Sequence, residues 1–156
     1  MPRNVATLII ALAAAALGMQ AADNTLGTWK RNIEKTTSTP APKNPVTSLT
    51  VVREASDGGV KVTSTGQMQD GTAINSSYTA KYDGTESPVT GAPWDSISIK
   101  QVDANTLTSE TKKSSGKYQA TSRTVVSEDG KIMTVTSKGT NDEGESFSST
   151  IVYDKQ

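Results

Sequence analysis

The sequence has no cysteine and no histidine. Without cysteine there is no disulfide framework, thiol nucleophile, zinc finger or acylated lipoprotein cysteine. Without histidine there is no Ser-His-Asp triad, no imidazole base and no usual transition-metal site. Aromatic residues are scarce: two Trp, four Tyr and one Phe in 156 residues. An excess of charge of either sign is also missing, with 16 Lys and Arg against 16 Asp and Glu. That balance excludes the basic footprint of a nucleic-acid binder. No glycine-rich phosphate loop occurs, and no segment shows a helical period.

What the chain does have is hydroxyl groups. From Ala22 onward, 37 of 135 residues are hydrophobic and 40 are Ser or Thr. That length makes one domain and is too short for two. The remaining apolar residues are concentrated at the start, where Arg3 precedes Val5 to Leu12 and an alanine run ending near Gly18. A basic residue, an apolar segment of about 13 residues and then small residues form a signal-peptide pattern. A membrane span needs about 20 apolar residues, and Asp23 comes too soon for that. The expectation is a leader over residues 1–21 with cleavage after Gly18, Ala21 or Ala22. The mature chain, 22–156, is then a bacterial periplasmic or secreted protein that does not span the membrane.

Turn signals recur along the mature chain at Asp57-Gly58, Asp70-Gly71, Asp83-Gly84, Ser115-Gly116 and Asp129-Gly130, with a longer one at Asn141 to Gly144. Asp-Gly supplies the positive-φ positions of type I′ hairpin turns. Each interval holds one strand and its turn. The alternation predicts strands from Gly27 to Ile33, Val46 to Glu54, Val60 to Met68, Thr72 to Tyr82, Ser96 to Gln101, Thr106 to Lys112, Lys117 to Val126, Lys131 to Lys138 and Glu145 to Asp154. A tenth, short strand is expected around Thr85 to Val89, and Thr36 to Pro45 reads as the one long irregular connection.

So few apolar residues shared among nine or ten strands leave a two-layer sandwich thin. A closed barrel removes both sheet edges and allows an interior that is part cavity. The fold expected is therefore all-β, a single antiparallel up-and-down meander barrel. Thr63, Thr65, Ser77, Thr79, Ser122 and Thr124 either point inward toward water or a polar ligand, or face solvent on β-prone surfaces.

Gly27-Thr28-Trp29 opens the first strand. It resembles the Gly-x-Trp start of the calycins, the lipocalin and fatty-acid-binding-protein group. Lys30, Lys81-Tyr82-Asp83-Gly84, Pro88 to Gly91, Asp103 to Thr106, Arg123 to Lys131 and Val152 to Gln156 extend the likeness, to small secreted bacterial lipocalin-like proteins of uncharacterised function. The resemblance implies a lipocalin-like barrel with Gly27 and Trp29 as structural residues closing one end. It brings no established activity.

By the same resemblance, Arg123 is the candidate to stack across Trp29. It also reads as an inward cation for an anionic ligand, or as an exposed residue without a role. Fatty-acid-binding proteins place an Arg-x-Tyr on the last strand to hold a carboxylate. Here the triplet is Ile151-Val152-Tyr153, so that site does not carry over, and Tyr153 is a core tyrosine or a ligand contact. Tyr78 and Tyr82 share one strand face and suit either a cavity lining or cross-strand packing. Trp94, in the irregular segment Thr85 to Asp95, plugs the barrel or anchors a ligand at its mouth. The acidic cluster Asp142, Glu143 and Glu145 lacks the spacing of a calcium loop. No metal, cofactor or catalytic residue is expected. The function expected is monomeric, noncatalytic binding of a small hydrophobic or amphiphilic ligand. The alternative is a protein partner, as for a periplasmic protease or lysozyme inhibitor.

Overall fold

The computed structural model describes residues 21–156. The expected leader therefore lies outside the described residues except for Ala21. The ten strands are β1 (Gly27–Thr39), β2 (Val46–Ser56), β3 (Gly59–Met68), β4 (Ala73–Lys81), β5 (Ser87–Thr90), β6 (Ser96–Asp103), β7 (Thr106–Lys112), β8 (Gln119–Val126), β9 (Ile132–Thr140) and β10 (Ser146–Lys155). Each pairs antiparallel with its neighbours in sequence, and β1 pairs with β10, which closes an up-and-down barrel.

The Asp-Gly pairs do turn the chain, but not as type I′ hairpins. Only glycines among the described residues take positive φ, including Gly58, Gly71, Gly84 and Gly130. The N–H of Gly71 donates to the Met68 carbonyl at 3.0 Å, and that of Gly130 to Ser127 at 2.9 Å. This is the three-residue form, a type I turn followed by a left-handed glycine. The aspartate helps from its side chain: Asp70 accepts the Thr72 N–H at 2.9 Å, and Asp129 accepts that of Lys131 at 3.0 Å. Gly116 closes its turn on Lys113 at 3.2 Å without a positive φ.

Two further expectations are corrected. The first strand does not stop at Ile33. The register shifts between Asn32 and Thr37, and Thr37 to Thr39 then pair with Thr150 to Ser148. The irregularity is a bulge that breaks the alternation while the strand continues. The inward hydroxyls are also not the six named from sequence. Val60 and Val62 are buried, so Ser64 shares their inward face while Thr63 and Thr65 face out. Ser64 pairs with Ser76, so Ser77 and Thr79 also face out. Ser122 and Thr124 do point inward, on the face of buried Ala120 and Val126.

The core gathers toward the end of the barrel where β1 begins. Trp29, Val51, Val60, Val62, Ala80, Ile99, Leu107, Val126, Met133 and Tyr153 form one cluster with Val89 and Ile97. The wall is unevenly knit. The β2–β3 ladder runs through ten residue pairs, whereas β5 meets β4 at two pairs and β6 at two.

Candidate functional site in the barrel interior

One end of the barrel has a built floor. Trp29 is 0% exposed, and its indole N–H donates to the Thr25 carbonyl at 2.8 Å. Residues 22–26 cross this end, held by Asn24 N–H to the Ala104 carbonyl at 2.8 Å and by Gln101 Nε2 to the Ala22 carbonyl at 2.9 Å. Thr25 is itself fully buried and donates its hydroxyl to Asp23 Oδ1 at 2.6 Å. Tyr82 donates to the other oxygen of Asp23. Burial first, and then that hydrogen bond, push the Tyr82 phenol up to about 12.

The cation over Trp29 is Lys155, with Nζ 4.5 Å from the ring centroid and 2.5 Å from the Leu26 carbonyl. Register explains it, since Lys155 lies directly opposite Trp29. Arg123 cannot do this. It alternates with inward Ser122 and Thr124, so it is exposed on the outer wall. The sequence reading of Arg123 as a Trp29 clamp or an inward cation is therefore corrected.

Above the floor the inward side chains become small. Ser149 pairs with Ser137, Ser137 with Ser122 and Ser122 with Ser109, while Ser38 lies on the other side of Ser149. Five neighbouring strands thus present serine at one level. Ser122 and Ser137 share a hydrogen bond of 2.7 Å between their hydroxyls. The facing wall supplies Ser64, Gly66 and Ser76, and the next level up has Ala120 and Gly139. These serines are half-buried although they point into the barrel.

The other end is aromatic. Trp94 stacks on Tyr118 with ring centroids 5.8 Å apart, and Tyr118 on Phe147 at 6.0 Å. Burial raises the Tyr118 phenol. The Trp94 indole N–H is buried and has no hydrogen-bond partner. Trp94 thus belongs to this mouth, with Tyr118 and Phe147, which sequence reasoning did not single out.

In and just above the floor lie groups the sequence reading largely missed. Arg53, 8% exposed, shares the inward face of Val51, and its Nε donates to Thr25 Oγ1 at 3.2 Å. Arg31 shares the inward face of Trp29 and sits opposite buried Tyr153. Burial pulls the Arg31 guanidinium down from its ordinary value and pushes the Tyr153 phenol up. Tyr153 lies within electrostatic reach of Arg31, Tyr78 and Arg53. Tyr78, Tyr82 and Tyr153 are therefore all inward and near a cation. The signal for both arginines was strand parity, two residues from Trp29 and two from Val51. Among the described residues, no group of three or more acids could hold a metal ion.

No protein-family model matches the sequence, and no curated protein does. Among solved structures the chain is similar to a redesigned β-barrel, mFAP1, bound to DFHBI. The TM-score is 0.42 at 15% identity, over 85% of this chain and 97% of that one.

Proposed function

We propose that this protein is a noncatalytic binding protein that holds a small, partly apolar ligand inside the barrel. One observation carries the reading: the middle of the interior is lined by Ser38, Ser64, Ser109, Ser122, Ser137 and Ser149 where a packed barrel would place large apolar side chains. Five neighbouring strands with small side chains at one level leave room for a ligand beside Ile99 and Val51, which stand opposite Ser109 and Ser64. The serines offer it hydroxyls, the floor residues close one end, and the Trp94, Tyr118 and Phe147 rings give an apolar surface at the other.

The leader pattern and the Gly-x-Trp start support placing this binding protein among exported, lipocalin-like bacterial proteins acting as monomers. No helix among the described residues is long and apolar enough to cross a membrane.

The test compares native and denatured mass spectra of the protein expressed with its leader and recovered from the periplasm. An extra mass lost on denaturation is expected. A spectrum that stays empty after incubation with a lipid and small-metabolite extract would overturn the reading.

A further inference from the structure

Four Asp-Gly pairs lie in turns: Asp57-Gly58, Asp70-Gly71, Asp83-Gly84 and Asp129-Gly130. In this dipeptide the aspartate carboxyl and the next backbone nitrogen meet with least hindrance, because glycine has no Cβ and a permissive backbone. At three of the four pairs the fold occupies both groups. The Asp70, Asp83 and Asp129 carboxylates accept the N–H groups of Thr72, Thr85 and Lys131 at 2.9, 2.9 and 3.0 Å. The glycines donate their own N–H groups, Gly71 to Met68 at 3.0 Å, Gly84 to Ile99 at 2.9 Å and Gly130 to Ser127 at 2.9 Å. Asp57-Gly58 differs on both counts. Ser56 pairs directly with Gly59, so these two residues form the whole tip of the β2–β3 hairpin. Among the described residues nothing donates to the Asp57 carboxylate and nothing accepts the Gly58 N–H. Both residues are exposed, and the space around Gly58 is open.

We propose that Asp57-Gly58 is a self-modification site, the one Asp-Gly pair that the fold leaves open to isoaspartate formation, and that the product loosens the floor. The Gly58 nitrogen attacks Cγ of the neutral Asp57 side chain. A C–N bond forms and the Cγ–OH bond breaks. The hydroxyl leaves as water with the amide proton, which gives a five-membered succinimide. Water then opens that ring at the former main-chain carbonyl carbon of Asp57. The backbone now runs through the side chain, the old main-chain carbon becomes the free carboxyl, and the mass is unchanged. No oxidant, reductant or other reactant enters. The bonded aspartates are held back a second time, because a carboxylate is a poor electrophile. Hydrogen bonds, chiefly from Thr72, Thr85 and Ser127, keep the carboxyls of Asp70, Asp83 and Asp129 below the usual range. The site also touches the floor. The Gly58 carbonyl accepts the Tyr82 N–H at 3.0 Å, and a Cβ on Gly59 would lie 1.9 Å from the Ala80 carbonyl oxygen. Isoaspartate adds a methylene to the backbone of this tightly packed tip. That draws Gly58 away from Tyr82, whose phenol holds Asp23.

The experiment stores the full mature protein, folded, in mildly acidic buffer made with heavy-oxygen water. Its peptides are then mapped by liquid chromatography and mass spectrometry over several weeks. Isoaspartate at Asp57, carrying one heavy oxygen, is expected to accumulate about tenfold faster than at Asp70, Asp83 or Asp129, the factor that one net hydrogen bond is worth. In urea the four rates should converge. Ser127→Ala, which removes a donor 2.6 Å from the Asp129 carboxylate, should speed that site and leave Asp57 unchanged. Hydrogen exchange at the Tyr82 amide should quicken in the aged fraction. Equal accumulation at the four sites in the folded protein would overturn the proposal. The same excess at Asp57 in urea would overturn it too, because the cause would then be the neighbouring sequence and not the fold. An unchanged Tyr82 amide in the aged fraction would overturn the link to the floor.

Discussion

Truncating Trp29 tests whether the barrel is held from its floor. The side chain is 0% exposed, so Trp29→Ala removes the largest fully buried side chain of the described residues. Such truncations cost about 3–5 kcal/mol, depending on how far the site collapses. Two further losses push toward the upper end. The Thr25 carbonyl loses the 2.8 Å indole donor inside a fully buried residue, and Lys155 loses the ring beneath its ammonium. With a urea m-value of about 2 kcal/mol/M, a loss of about 4 kcal/mol moves the midpoint by about 2 M. Far-ultraviolet circular dichroism is the readout, since the substitution removes one of the two tryptophans. Trp29→Phe separates the contributions: it keeps most of the packing but orphans the carbonyl, at a cost of about 1–3 kcal/mol. Hydrogen exchange at the Asn24 amide, which donates to Ala104, should quicken in both variants because residues 22–26 are tied down through Thr25. A midpoint for Trp29→Ala unchanged within error would refute the floor as the anchor of this fold.

Three other predictions follow from named contacts. The Tyr82 phenol is raised from 10.0 to about 12, so the fold favours its neutral form. Its contribution is complete below about pH 10 and is lost as pH rises toward about 12. For a half-exposed group it is worth about 1 kcal/mol, and Tyr82→Phe should lack this alkaline loss in pH-dependent urea melts. A Cβ on Gly139 would sit 2.0 Å from the Gln119 carbonyl oxygen, so Gly139→Ala should destabilise by about 1–3 kcal/mol, read as a lower thermal midpoint. Arg123→Ala, on the outer wall, should change stability by less than about 0.5 kcal/mol and leave ligand binding untouched, which calorimetry would check.

The strand count and the meander were legible because turn chemistry is local. Asp-Gly marks a chain reversal wherever it falls, and the intervals between reversals gave the strands. The fine geometry of the turn was not legible, since a two-residue type I′ loop and a three-residue loop of type I turn plus left-handed glycine use the same dipeptide, with the aspartate at positive φ only in the first. The end of β1 was missed because a bulge resets the alternation between Asn32 and Thr37. Parity in strands where apolar residues occupy both faces also stayed hidden. On β8, Val125 and Val126 follow one another, and only closure of the barrel decides that Val126 and Ser122 go in while Arg123 goes out. The arginines that do go in, Arg31 and Arg53, sit among Lys30 and Glu54 in polar stretches. There a charge reads as solvated unless the buried neighbours on its own face, Trp29 and Val51, are given more weight.

The interior is also uneven in what it contributes to stability. Apolar burial is concentrated at the floor, while the serine belt contributes hydroxyls that are satisfied only in part, such as the Ser122–Ser137 pair. The fold is therefore held chiefly from the end where the core gathers. Arg31 stands opposite Tyr153 at the edge of that core, and Arg53 lies in the floor, bonded to Thr25.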